Sequence, residues 1–149
     1  MTEHVTPDVA SILSAFRDAD GEPVVMINLN RYHERAQYAP DHPHAALGLT
    51  GRDAYAHYGV VAQQAVQHVG GHILWAAPTR EVVIGCDHDR YDEVVAVWYP
   101  SRTAFLNLTS YPGYQESHVH REAAVAQATI IAAKGSAQPL LENPFAGAS

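Results

Sequence analysis

The order of the predicted elements constrains the fold of this chain more than any single motif does. Apolar runs rich in β-branched and aromatic residues predict four strands, and apolar residues at helical spacing predict two main helices between them. The strands are predicted at residues 23–29, 72–77, 93–99 and 128–132. The helices are predicted at 51–69 and, with an interruption at 111–114, at 101–125. This β-α-β-β-α-β order predicts an α+β fold, a ferredoxin-like antiparallel sheet with both helices on one face.

The remaining segments are predicted to belong to the same single domain, since 149 residues suffice for one hydrophobic core. Thr6 and Pro7 are good starting residues for an N-terminal helix within residues 1–22. The ferredoxin-like core is predicted to span 23–133, followed by an irregular tail at 134–149.

Two segments within the core are less regular. Residues 32–50 contain two prolines and little periodicity, which predicts a long loop of the kind that often forms a lid or a binding segment. Residues 81–84 are predicted either to continue the preceding strand or to form a short strand of their own.

One face of the predicted sheet has no helix to cover it. A bare apolar sheet face is a natural dimerisation surface, because large exposed apolar patches are rare on monomers. We therefore expect a homodimer.

Charge and composition exclude several classes of partner. The formal net charge is −7, with 9 Lys and Arg against 16 Asp and Glu, so binding to nucleic acid is not expected. The sequence has neither an apolar stretch long enough to span a bilayer nor a basic cluster for a membrane surface. A single cysteine and an N-terminus without a signal-peptide pattern favour the cytoplasm.

The candidate site residues are chosen by residue type and by the faces they share. Asn28 lies in an otherwise apolar strand, where it is either a ligand-binding donor or a structural hydrogen-bonding group. Tyr55 and Tyr58 share a helix face and either orient a ligand or pack in the core. His118 is a candidate general base and Arg121 a candidate anion-binding residue, with an exposed histidine and a solvated salt bridge as the alternative.

No metal or cofactor site is predicted. His42 and His44, with His33 upstream, could bind a metal ion, but their spacing matches no known signature, and a solvated loop is the alternative. His57 is expected to be exposed at the edge of its helix. Phosphate-binding glycine loops, nucleophile elbows and paired zinc ligands are absent from the sequence.

A succession of short motifs resembles a bacterial family catalogued as a numbered domain of unknown function, within the dimeric α/β-barrel superfamily. The motifs are VMINLNR at 25–31, TGRDAYAHYG at 50–59, the glycine pair at 70–71, YDEVVAVWYPSR at 91–102, Tyr114 and HREAA at 120–124. The resemblance implies two sheets facing each other in a dimer. It also shows one departure, because family members often have tryptophan where this chain has Tyr91, which predicts a reshaped wall.

The predicted function is the binding of a small molecule, either an aromatic or a carbonyl metabolite. Cofactor-free proton transfer by an isomerase, a cyclase or a monooxygenase would suit the superfamily, with Tyr58 and His118 catalytic and Asn28, Tyr55 and Arg121 holding the ligand. A non-catalytic module that binds a metabolite or a metal, and an accessory protein that binds another chain, are the alternatives.

Overall fold

The computed structural model describes residues 21–146 and contains one four-stranded sheet. Its strands are β1 (Val24–Tyr32), β2 (His72–Pro78), β3 (Glu93–Tyr99) and β4 (Val125–Lys134). They lie in the order β2-β3-β1-β4, and every neighbouring pair is antiparallel. This is the predicted ferredoxin-like topology. The predicted N-terminal helix lies outside the described residues.

Three α-helices connect the strands: α1 (Gly51–His68), α2 (Arg102–Leu106) and α3 (Tyr114–Ala124). The longest of them, α1, begins where Thr50 and Asp53 form a capping box, each side chain accepting the other residue's backbone N–H. It ends before Gly70, whose φ of 83° is a left-handed conformation suited to glycine. Packing of α1 against α3 over the sheet builds the covered side of the molecule.

The boundary between α3 and β4 differs from the prediction. The strand was expected to begin at residue 128 after a short connection, but it begins at Val125, directly after the helix. The main-chain oxygen of Ala124, the last helical residue, accepts a hydrogen bond from the N–H of His33. A neighbouring segment therefore satisfies the end of the helix, and the chain passes into the sheet without a turn.

Two further predictions need correction. β1 extends to Tyr32, whose N–H donates to Asp92 Oδ2, so the loop before α1 begins one residue later than expected and contains a 3₁₀ turn at Pro43–Leu47. Residues 81–84 form no strand of either kind. Val83 and Ile84 in that segment are 87% and 95% exposed and contribute nothing to the core.

The two faces of the sheet have different surroundings. On the helix side, Met26, Val97 and Tyr99 pack with residues of α1 in the main hydrophobic core. On the other side, here called the open side, Val25, Ala96 and Trp98 form a smaller buried cluster, and no helix within residues 21–146 packs on it. Trp75 and Ile131 are 49% and 52% exposed. The described residues contain no helix long and apolar enough to span a membrane.

Candidate functional site

The candidate site is a cleft of about 430 Å³ between the helix-covered face of the sheet and the helices. Its walls include residues from β1, β3, α1, α3 and the segment after α2. All five residues chosen from the sequence line it: Asn28, Tyr55, Tyr58, His118 and Arg121. Helical spacing explains the convergence, because Tyr55 with Tyr58, and His118 with Arg121, each share the helix face that is turned toward the sheet.

Asn28 has mainly a structural role at the floor of the cleft. Its Nδ2 donates to the main-chain oxygens of Met26 and Val95, at 3.1 and 3.2 Å. Both donor hydrogens of the amide are thereby used, so the predicted role as a ligand-binding donor is not supported. Only the side-chain oxygen of Asn28 could serve a ligand, as an acceptor.

The phenols of the cleft form a connected group. The rings of Tyr55 and Tyr58 lie with centroids 5.4 Å apart, and the hydroxyls of Tyr58 and Tyr114 are hydrogen-bonded at 3.0 Å. Burial, with a smaller contribution from Tyr114, raises the pKa of Tyr58 well above its ordinary value. Burial also raises the pKa of Tyr55 to about 12. At neutral pH these hydroxyls are uncharged and can donate to a developing negative charge.

His118 is half-buried beside these phenols. Its ring meets those of Tyr58 and Tyr114 edge-on, at centroid distances of 5.6 and 4.9 Å. Burial lowers the pKa of His118, the Arg121 guanidinium lowers it further, and Glu122 opposes the change. The imidazole is therefore neutral near pH 7 and can accept a proton.

Arg121 supplies positive charge inside the cleft. The residue is only 6% exposed, although guanidinium groups are costly to bury without compensation. Its positive charge lowers the pKa values of Tyr55, Tyr58 and Tyr114, opposing the effect of burial, so the guanidinium lies close enough to act on all three phenols. An anionic group entering the cleft would be attracted to this charge.

Sequence reasoning missed the polar residues at the rim. Glu93 is buried, its Oε2 lies 3.1 Å from Nη2 of Arg52, and its Oε1 accepts from the Tyr32 hydroxyl at 2.6 Å. Both Glu93 and Arg52 line the cleft. A signal was present, because Glu93 shares the strand face of Val95 and Val97, where alternation predicts buried side chains.

Two histidines of the long loop, which was expected either to bind a metal ion or to be solvated, are half-buried against other histidines. His42 and His44 lie with His57 of α1 and His120 of α3, and we call these four residues the histidine cluster. Ring centroids of His44 lie 5.2 Å from His42, 5.1 Å from His57 and 5.0 Å from His120. No group of three or more His, Cys, Asp or Glu side chains is arranged to hold a metal ion in residues 21–146.

A second depression, of about 560 Å³, lies on the open side of the sheet beneath the connection between β2 and β3. Tyr91, which departs from the family pattern, lines this depression and is absent from the walls of the cleft. Its hydroxyl is hydrogen-bonded to Thr129 Oγ1 at 2.5 Å. Tyr91 therefore borders the open side of the sheet rather than the cleft.

Comparison with known proteins identifies the family. The sequence profile described as domain of unknown function (DUF1330) matches residues 45–135. The chain belongs to this family. The resemblance read from the motifs is confirmed. No functionally curated protein matches the chain.

Two crystal structures of RPA0582, a protein of unknown function from Rhodopseudomonas palustris, share the fold. One is 31% identical, covers 91% of this chain and 98% of that chain, and has a TM-score of 0.78. The methylated protein gives 30% identity, coverages of 91% and 97%, and a TM-score of 0.79. SnoaB, a cofactor-independent oxygenase from Streptomyces nogalater, has 15% identity, coverages of 77% and 96%, and a TM-score of 0.36, which is too low to carry an argument.

Proposed function

We propose that the cleft binds a small carbonyl-containing carboxylate, aromatic in part, and catalyses proton transfer at the carbon beside its carbonyl group. One observation carries the proposal: His118, Tyr58 and Arg121 line the same cleft, so a base, a hydrogen-bond donor and a cation face one small volume. A cleft of about 430 Å³ is of the size that small-molecule sites have.

The neutral imidazole of His118 would remove the proton. As the C–H bond breaks, its electron pair moves into the carbonyl group and forms an enolate, and the imidazole becomes an imidazolium. Returning the same proton to the other end of the enolate system completes an isomerisation, so atoms and charge balance without a further reactant. The lowered pKa of His118 keeps the base in its neutral form at neutral pH.

The phenols and the guanidinium would stabilise the enolate and position the ligand. Tyr58 and Tyr114 are uncharged and hydrogen-bonded to each other, and the hydroxyl that accepts in this bond keeps its own O–H to donate to a developing oxyanion. Arg121 would bind the carboxylate. Val95, Val97 and Leu108 contribute apolar walls to the cleft, and a ligand that displaced water from it would strengthen these polar interactions.

Phenylpyruvate is a suitable probe, because it combines an aromatic ring, a carbonyl group, a carboxylate and exchangeable protons on one small frame. Proton NMR in D₂O would follow the exchange of its benzylic protons with and without protein. We expect wild-type protein to accelerate the exchange and His118→Gln to remove about 10²-fold or more of the acceleration, the range of a lost general base. His88→Gln is the matched control, since His88 is exposed and lies outside the cleft.

The same experiment separates catalysis from binding alone. If the phenylpyruvate signals showed saturable binding to the protein but no faster exchange, the result would support the non-catalytic binding module and exclude the proton transfer. Equal acceleration by His118→Gln and wild-type protein would exclude His118 as the base. Neither binding nor exchange would contradict the proposed ligand class.

We also propose that the open face of the sheet forms a homodimer. Trp75 and Ile131 expose apolar surface there, and Val83 and Ile84 project from the connection that borders it. Sedimentation analysis should give a dimer for the wild-type protein and a monomer for Ile131→Asp. Val60→Asp, an equally drastic change at an exposed position of α1, should remain dimeric. A monomeric wild-type protein would contradict this proposal.

A further inference from the structure

Residues 33–50, here called the strap, link β1 to α1 and contact both helices that carry the candidate site. The main-chain N–H groups of His33 and Gln37 donate to the oxygens of Ala124 and Ala123, at the end of α3. At the other helix, the N–H of Gly51 donates to the oxygen of His33. The strap thus satisfies the last carbonyls of α3 and meets the first residue of α1.

The histidine cluster holds the middle of the strap against the same helices. His42 and His44 belong to the strap, whereas His57 lies on α1 and His120 on α3. The rings of His57 and His120 are 5.4 Å apart, and those of His42 and His120 are 6.0 Å apart. Tyr38, also in the strap, stacks on His42 and shares a hydrogen bond of 2.6 Å with Nδ1 of His120.

This packing is compatible with neutral imidazoles and opposes charged ones. Each of the four rings lies within about 6 Å of at least two others, so the rings would repel one another if they were protonated, and like charges disfavour the charged form. His120 shows the effect, because burial lowers its pKa and His44, His57 and His42 lower it further. His120, at the centre of the histidine cluster, therefore resists protonation as long as the strap is in place.

The other groups that face the histidine cluster compensate this repulsion only in part. Tyr38 is a phenol whose pKa is raised by burial, so it carries no negative charge near neutral pH. Asp53 of α1 interacts with His57, but its carboxylate also accepts from the N–H of Thr50 and interacts with Arg52. The carboxylate of Asp53 is thus shared among His57, Arg52 and the backbone of Thr50.

We propose that the histidine cluster is an acid-sensitive latch, which holds the strap against α1 and α3 at neutral pH and releases it when the imidazoles are protonated. The sign follows from linkage. A histidine whose pKa is lower in the latched state than in the released state stabilises the latch fully above the ordinary pKa of about 6.5, and this stabilisation is lost as the pH falls. Each unit of difference gives a tenfold change in the latching equilibrium.

Release of the strap would remove its contacts with both helices and weaken the packing of α1, which carries Tyr55 and Tyr58, against α3, which carries His118 and Arg121. An effect on the reaction would rest on the proposed function, but the latch itself does not. Hydrogen exchange of the strap reports its release whether or not the cleft binds a ligand, so failure of the latch and failure of the proposed function can be distinguished.

The test is hydrogen exchange by NMR from pH 7.5 to pH 5.5 on the full chain, after treatment with EDTA. Reporter amides are His33, Ala36 and Gln37, which donate to carbonyls across the strap, and the reference is Gly71 N–H, which donates to the oxygen of Val66. Protection factors correct for the pH dependence of intrinsic exchange. We expect about tenfold or greater loss of protection at the reporters for each unit of pKa difference, and no loss at the reference amide.

Two matched variants on α1 test whether the histidine cluster causes the pH-dependent loss of protection. His57→Gln removes one exposed imidazole of the histidine cluster and should reduce the pH-dependent loss, whereas His68→Gln, also exposed and outside the histidine cluster, should behave as wild type. Unchanged reporter protection down to pH 5.5, or an equal response from both variants, would overturn the proposal. It would also be overturned if EDTA alone abolished protection at pH 7.5 and Zn²⁺ restored it, because a metal ion rather than proton binding would then hold the strap.

Discussion

The two sides of α3 place two histidines, only two residues apart, in different chemical environments. His118 faces the cleft, where phenols surround it and Arg121 is the nearby cation that lowers its pKa. His120 faces the strap, where a phenol and three imidazoles surround it and those imidazoles lower its pKa. Both pKa values fall, and burial is the main cause in each case, yet the charged neighbours are different. Residue type alone therefore says little about what each histidine does.

This difference shows that one pair of helices can keep two polar clusters apart. Opposite faces of α3 point toward the sheet and toward the strap, and the small buried residues Ala123 and Ala124 allow α3 to pack closely against its neighbours. A ligand in the cleft and protons at the strap should then act on different residues. Substitutions on one side of α3, or at Gly51, where α1 meets the strap and the end of α3, can test this separation.

The largest expected effect comes from breaking the joint at Gly51. A Cβ added there would lie 2.2 Å from the main-chain oxygen of His33 and 2.8 Å from that of Ala124, and these oxygens cannot move without displacing the strap and the end of α3. We expect Gly51→Ala to lower the free energy of unfolding by about 1–3 kcal/mol or more, measured by urea denaturation. The variant should also expose the amides of His33 and Gln37 to exchange.

Gly59 in the same helix is the matched control. A Cβ added there meets nothing within 4 Å, so the substitution only improves helix propensity. We expect Gly59→Ala to raise the free energy of unfolding by about 0.5–1 kcal/mol. If the two variants changed stability in the same direction, the contact of Gly51 with the strap would not be the cause.

An intermediate effect should come from the cleft side alone. Tyr58→Phe removes one partner of the buried hydrogen bond to Tyr114, which should cost about 1 kcal/mol of unfolding free energy. The exposed hydrogen bond from Tyr111 to Gln64 is the comparison, and Tyr111→Phe should cost less. Exchange at the strap should be unaffected by either change. Loss of strap protection in Tyr58→Phe would show that the two sides are coupled.

The smallest effect, and the sharpest test of the separation, is on the histidine pKa values themselves. Replacing Arg121 with Met removes the cation beside His118 and should raise its pKa, leaving that of His120 unchanged. Replacing His57 with Gln should raise the pKa of His120 and leave that of His118 unchanged. NMR titration of the imidazole C–H resonances measures both. A shift of both histidines in either variant would contradict the separate environments.

The sequence was sufficient to predict the topology and five of the residues that line the cleft. Periodicity identified β3 with its observed bounds and started α1 at Gly51, because capping and breaking residues mark these ends in the chain itself. Shared helix faces placed Tyr55, Tyr58, His118 and Arg121 together, since spacing along a helix determines direction.

What the sequence could not predict depends on contacts between distant segments. The histidine cluster joins residues from the strap, α1 and α3, and no local spacing relates His44 to His57 or His120. Glu93 and Arg52 pair across 41 positions in the chain. Val125 continues α3 directly into β4 because His33, distant in sequence, bonds to the end of the helix. Tertiary contacts of this kind override local patterns.

The most direct test of the cleft as a ligand site is the response of the two α3 histidines to phenylpyruvate at pH 7. Proton NMR of the wild-type protein would follow the imidazole resonances of His118 and His120 as the compound is added. We predict that the resonance of His118 moves with saturable binding and that of His120 does not. A shift confined to His120, or no shift of either resonance, would contradict the assignment of the cleft as the site for a carbonyl-containing carboxylate.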